Sequence, residues 1–120
     1  MIRGTTHTIK FDCIDIIEPE DSVEEIEISI DQENNTDASI TRYYTSGGCY
    51  LDDKTKIIST VLTPQETLNF NTKKKATVQL RIQLRDINQN PYILGNYIQM
   101  VTVYPTQRER PNLLGGVSNG

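Results

Sequence analysis

Polar and apolar residues alternate with a period of two over much of this chain. From Ala76 to Arg85 the alternation is strict. Val78, Leu80, Ile82 and Leu84 share one face, and Thr77, Gln79, Arg81, Gln83 and Arg85 share the other. From Glu24 to Asp31, Ile26, Ile28 and Ile30 oppose Glu25, Glu27, Ser29 and Asp31. Successive side chains of a strand point to opposite faces, so each run predicts a strand with one buried and one wet side. Thr8 to Asp12 follows the same rule, with Ile9 and Phe11 on one face. Continuing that phase puts Cys13 inside, whereas Ile14 and Ile16 take the opposite parity. A slip of one residue predicts a bulge or a strand break near Cys13. Further strands are expected over Ala38–Thr45 and Lys56–Leu62, with a short one at Cys49-Tyr50-Leu51. Polar, turn-forming stretches at Gln32–Asp37, Ser46-Gly47-Gly48 and Asp52–Thr55 separate them.

The stretch 61–104 is the most specific. Thr63-Pro64-Gln65-Glu66 reads as a capping box: the Thr63 hydroxyl accepts from the N–H of Glu66, whose carboxylate accepts from the N–H of Thr63. Pro64 falls at the first helical position, where a missing N–H costs nothing. Asn69, Asn71 and Thr72 continue a helix poorly, which predicts one short helical turn near 64–69. The Ala76–Arg85 strand then turns at Asn88-Gln89-Asn90-Pro91 into a return strand, Tyr92–Tyr104, interrupted at Gly95-Asn96. Past the interruption both faces are apolar: Ile98, Met100 and Tyr104 on one, Tyr97, Val101 and Val103 on the other. Such a strand is central in a sheet or turns one face to a partner.

Six to eight short strands at regular spacing, with one capped turn crossing between them, predict an all-β fold: a single antiparallel β-sandwich over residues 1–105. The crossing turn resembles the corner of immunoglobulin-like sandwiches. There is no Cys…Trp…Cys pattern of an antibody domain, as Trp is absent. Residues 106–120, after Pro105, read as a flexible or partner-docking tail in which Leu113 and Leu114 are the apolar anchors.

Composition adds a charge asymmetry. Residues 1–37 hold eleven Asp/Glu against Arg3 and Lys10, a net of −9, while residues 38–120 sum to +5. A solvated acidic face is the ordinary reading. The sharper one is docking between copies, the acidic strand face (Glu24, Glu25, Glu27) of one meeting the basic hairpin face (Lys73, Lys74, Lys75, Arg81, Arg85) of the next. No apolar run reaches the roughly 18 residues of a membrane span. The opening residues lack the apolar stretch of a signal peptide, so a cytoplasmic site of synthesis and reduced cysteines are expected. Whether Cys13 and Cys49 pair depends on their separation in the fold.

The search for chemistry yields no catalytic, cofactor or metal residues. His7 and Cys13 share a face of the first strand but lie six residues apart, about 20 Å, too far for a nucleophile–base pair. Two Cys and one His are too few for a structural zinc site. The spacing of Asp31, Glu33, Asn35 and Asp37 is that of a calcium loop, but the sixth position is Thr36 and the twelfth Arg42, where Gly and Glu are required. Lys73-Lys74-Lys75 is the one basic run. The acidic chain and the lack of interleaved aromatics argue against nucleic acid as its target. Lysines at a strand entry also serve to block edge pairing.

Two segments carry a resemblance. Met1-Ile2-Arg3-Gly4-Thr5-Thr6-His7-Thr8 resembles the start, M-I-R-G-T-T-P-T, of a group of small proteins of tailed bacteriophages and prophages. Leu62-Thr63-Pro64-Gln65-Glu66-Thr67-Leu68-Asn69-Phe70 resembles their L-T-Q-E-E-T-L-x-F. The sequence departs from that pattern at His7, in a longer middle and in its C-terminal tail. The resemblance implies a phage origin and transfers no catalytic residues. The expectation is a non-enzymatic virion protein of the head, neck or tail, without cofactor, membrane or small-molecule substrate. It would be assembled in the host cytoplasm through contacts with other phage structural proteins and copies of itself. The alternative is a soluble phage protein that inhibits a host protein.

Overall fold

The computed structural model describes residues 1–106. The chain forms β1 (His7–Asp12), β2 (Ser22–Gln32), β3 (Asn35–Tyr43), β4 (Tyr50–Leu51), β5 (Ile57–Leu62), α1 (Pro64–Leu68), β6 (Ala76–Arg85) and β7 (Pro91–Val101). They make two antiparallel sheets, one ordered β1-β5-β4 and the other β3-β2-β6-β7. This is the immunoglobulin-like sandwich: β1, β5 and β4 take the places of strands B, E and D, and β3, β2, β6 and β7 those of C′, C, F and G. The capped turn α1 sits at the E–F corner, where the chain crosses between sheets. Where a first strand would run beside the last, residues 1–6 make one parallel bridge, Ile2 with Tyr104.

The alternation in β2 and β6 fixes the core. Antiparallel pairing sets Ile26 opposite Ile82, Ile28 opposite Leu80 and Ile30 opposite Val78. All six side chains are buried, together with Ile9, Phe11, Ile58 and Leu62 from the facing sheet. Burying one such side chain is worth roughly 1.5–3 kcal/mol, so these two strands dominate the core. The slip expected near Cys13 is a strand end. The Cys13 N–H donates to Lys56 O at 2.9 Å and its carbonyl accepts from Ile16 and Ile17 at 3.2 and 3.1 Å. The chain turns there, leaving Ile14 exposed and Ile17 buried.

The start of β3 and the end of β7 differ from the sequence reading. β3 starts at Asn35, because Glu33-Asn34 is a two-residue hairpin loop with Asn34 at φ 57°, and Gln32 pairs directly with Asn35. β7 ends at Val101. It is also an edge strand and not a central one. Its interruption at Gly95-Asn96 coincides with a register shift between Leu80 and Ile82 of β6. Gly95 has φ 139°, and a Cβ there would lie 2.9 Å from the Leu80 carbonyl oxygen, which explains the glycine.

The two segments that carry the resemblance touch each other. An Arg3 guanidinium nitrogen donates to Leu68 O at 3.1 Å, at the end of α1. The buried Thr67 hydroxyl donates to Thr5 O at 2.8 Å, and a Cβ on Gly4 would meet Leu68 Cδ2 at 3.2 Å. The pattern Met1–Thr6 with Leu62–Phe70 is therefore one packing unit, which ties the N-terminus to the corner turn.

Candidate interaction surface

The outer face of the larger sheet gathers the acidic side chains singled out in the sequence, Glu24, Glu25 and Glu27, together with Arg81 and Arg85. Pairing lays them in rows across the strands. Tyr43, Glu27 and Arg81 stand in line, followed by Thr41, Ser29, Gln79 and Ile98, then Asp31, Thr77 and Met100. On the other side of Glu27 lie Glu25, Gln83 and Ile93.

The charges that separate along the sequence meet within this sheet. Arg85 Nε lies 2.8 Å from Glu24 Oε1, and Arg81 stands directly opposite Glu27. Glu25 is held locally: it accepts from the Thr45 hydroxyl at 2.5 Å and from the Thr45 N–H at 3.0 Å, and these bonds lower its pKa. The lysines occupy the loop between α1 and β6, where Lys74 Nζ lies 3.8 Å from Glu33 on the β2–β3 turn. Acidic and basic faces are thus neighbours within one molecule, because β2 and β6 pair antiparallel.

The apolar half of the expected site divides by face. Tyr97 and Val101 turn inward and pack on the core, and Val103 is buried. None of the three presents itself on the outer surface. The opposite face does so: Ile98 and Met100, and Ile93 from before the register shift, are 59%, 56% and 54% exposed. Sequence alone made both faces of this strand apolar, and only the pairing with β6 decides which one meets the core. Leu113 and Leu114 lie outside the described residues. On the inward side, Gln99 Nε2 donates to the Lys10 carbonyl at 2.6 Å, which links β7 to the free edge of β1.

Two polar side chains that the sequence reading passed over position these parts. Gln32, buried at the end of β2, holds the 71–74 loop through its amide. Arg42 on β3 donates to both carboxylate oxygens of Glu66 at 2.5 and 2.6 Å, fastening α1 to the larger sheet. The Thr63/Glu66 exchange of the capping box is present as expected.

The reactive residue types stand apart. Cys13 and Cys49 are buried free thiols, and burial pushes both up to about 11. Cys13 lies beside Lys56 and Cys49 precedes Tyr50, which pairs with Ser59. Three residues of β5 separate those levels, about 10 Å, which exceeds the reach of a disulfide. His7 is half-buried, and burial lowers its pKa. Among the described residues no group of three or more His, Cys, Asp or Glu is placed to hold a metal ion. No helix of the described residues is long and apolar enough to cross a membrane.

No protein-family model matches the chain, and no curated protein matches it. The fold defines a class, an immunoglobulin-like β-sandwich in which β7 is an edge strand among the described residues.

Proposed function

We propose that this chain is a non-enzymatic subunit of a bacteriophage virion, in the head, neck or tail, that acts by binding other proteins through its surface. The observation that supports an assembly role is β7. It is an edge strand without a single charged residue, and three large apolar side chains stand more than half exposed on its outer face. Sheet edges are ordinarily protected by charge, proline or a bulge. Here Pro91 and the Gly95-Asn96 interruption guard the first half, and among the described residues no strand pairs with the outer edge of Tyr97–Val101. An open uncharged edge with an apolar stripe suits addition of a strand from a partner. The phage part of the reading rests on the resemblance of residues 1–8 and 62–70, whose mutual contact makes them one structural signature.

Mass spectrometry of purified phage particles tests the reading. The chain is expected at a stoichiometry set by the particle's symmetry. Its absence from particles would overturn the virion role and favour the soluble inhibitor of a host protein.

A further inference from the structure

The strands of the outer sheet face differ in kind. β2 contributes acids, and β6 contributes Arg81 between two amides, Gln79 and Gln83. Register places these groups in shared rows: Glu25 opposite Gln83, Glu27 opposite Arg81, and Ser29 opposite Gln79. On β3, Tyr43 extends the Glu27 row and Thr41 the Ser29 row. On β7, Ile98 closes the Ser29 row. The Gly95-Asn96 interruption falls where the Glu27 row meets β7, between the pairs Leu80–Tyr97 and Ile82–Leu94. Among the described residues Arg81 is exposed and forms no salt bridge, and Glu27 accepts a single bond, 3.4 Å long, from the Ser29 hydroxyl. Both charges of this row are therefore free to meet a partner.

A second copy is the partner that fits. A two-fold axis parallel to the strands, midway between β2 and β6, stacks the face on itself with every row in register. β2 of one copy then lies over β6 of the other, and β3 lies over β7. Glu27 meets Arg81, Glu25 meets Gln83 and Ser29 meets Gln79, so each of these polar side chains faces a complement. Sizes match as well. Tyr43, 42% exposed, stands over Gly95, which carries no side chain, and the short Thr41 covers Ile98. Four strands about 4.8 Å apart, each of about ten residues at about 3.3 Å, give a face of about 19 by 33 Å. Two such faces bury on the order of 1,200 Å², the lower bound of the area that stable interfaces cover.

We propose that this face is the contact of a two-fold dimer, in which Glu27 of each copy pairs with Arg81 of the other across the axis. Both copies use the same patch, so the contact closes at two and leaves the β7 edge clear of it. This inference rests on the assembly reading and names one of its partners, a second copy of the chain.

Sedimentation velocity on the full chain over a range of concentrations is the test. The natural chain is expected to give a dimer that dissociates on dilution. Arg81→Glu and Glu27→Arg should each weaken it at least about tenfold, because the axis brings like charges together twice. An equimolar mixture of the two variants should recover the dimer. Both pairs across the axis are then opposite in sign again, whereas the neighbours within each sheet stay like-charged. Recovery thus separates a contact between copies from an effect inside one. Should either single variant fail to fold, E27R/R81E on one chain is expected to dimerise like the natural chain. Thr41→Arg, which sets a cation over Ile98, is expected to stay monomeric. The proposal is overturned by a natural chain still monomeric at about 1 mM, by a mixture or a double variant that associates no better than the single ones, or by a Thr41→Arg chain that dimerises like the natural one. Particle composition is read separately: a monomeric chain found in particles sinks this contact only, and a dimeric chain absent from particles sinks the virion role only.

Discussion

The Gln32 side chain uses every hydrogen-bonding position of its amide. Nε2 donates to the carbonyls of Asn71 and Lys74, both at 2.7 Å, while Oε1 accepts from the Asn71 N–H at 2.9 Å and from Asn35 Nδ2 at 2.7 Å. These bonds fix the loop that carries Lys73–Lys75 and delivers the chain to β6. Gln32→Leu keeps the bulk but leaves the part-buried carbonyls of Asn71 and Lys74 and the Asn71 N–H without this partner, at an expected cost of about 1–3 kcal/mol in urea denaturation. A loss below about 0.5 kcal/mol would mean that water reaches these groups and the loop is not held from here. Gly95 makes a second case at this scale. Gly95→Ala forces a Cβ against a backbone oxygen at a φ of 139°, with an expected loss of about 1–3 kcal/mol, read as a lower melting temperature. Neither role was legible in the sequence. A glutamine at a strand end looks like a turn residue until the loop packed on it, some forty positions later, is in view.

At the scale of elements, the corner turn shows what local sequence does carry. The Thr63/Glu66 box needs only residues three apart, and it forms as read. Thr63→Ala should cost about 1 kcal/mol. Glu66 does more than close the box, because Arg42 grips the same carboxylate. Burial alone would raise the Glu66 pKa, but the Thr63 N–H and the Arg42 guanidinium outweigh it and hold the group below the ordinary glutamate value. A carboxyl lowered in the folded state adds stability above its unfolded pKa of about 4.3 and loses that contribution as pH falls through the folded value. Glu66→Gln should therefore be less stable than the natural chain at pH 7, and the difference should shrink below about pH 4. Urea midpoints of both chains between pH 7 and pH 3 check this. A gap that stays constant would assign Glu66 a packing role only. The strands divide in the same way. The alternation in β2 and β6 was readable because it is local, whereas the outward face of β7 was not, because it depends on register with β6.

For the whole molecule, the charge asymmetry of the sequence does not survive folding as two separate poles. Antiparallel pairing of β2 with β6 sets Glu24 on Arg85 and Glu27 opposite Arg81, a proximity of residues distant in the chain that no composition reveals. What the fold adds globally is a sealed core, and the two cysteines report on it. Both thiols are buried on opposite parts of the smaller sheet's layer, too far apart to bridge, and burial pushes each up to about 11. An unfolded cysteine titrates near 8.5, so at pH 8 the folded chain carries roughly two-hundredfold less thiolate, and burial further bars a bulky reagent. In the native protein neither thiol should react with a disulfide reagent at an appreciable rate, and in denaturant both should react at once. Because reaction then requires opening of the sandwich, Gln32→Leu and Gly95→Ala should speed labelling of both cysteines together, in proportion to their loss of stability when reclosing outpaces reaction. Rapid labelling of Cys13 alone would show that the β1 edge opens independently of the core, and isolation of a Cys13–Cys49 bridge would contradict the register of β5 with its two neighbours.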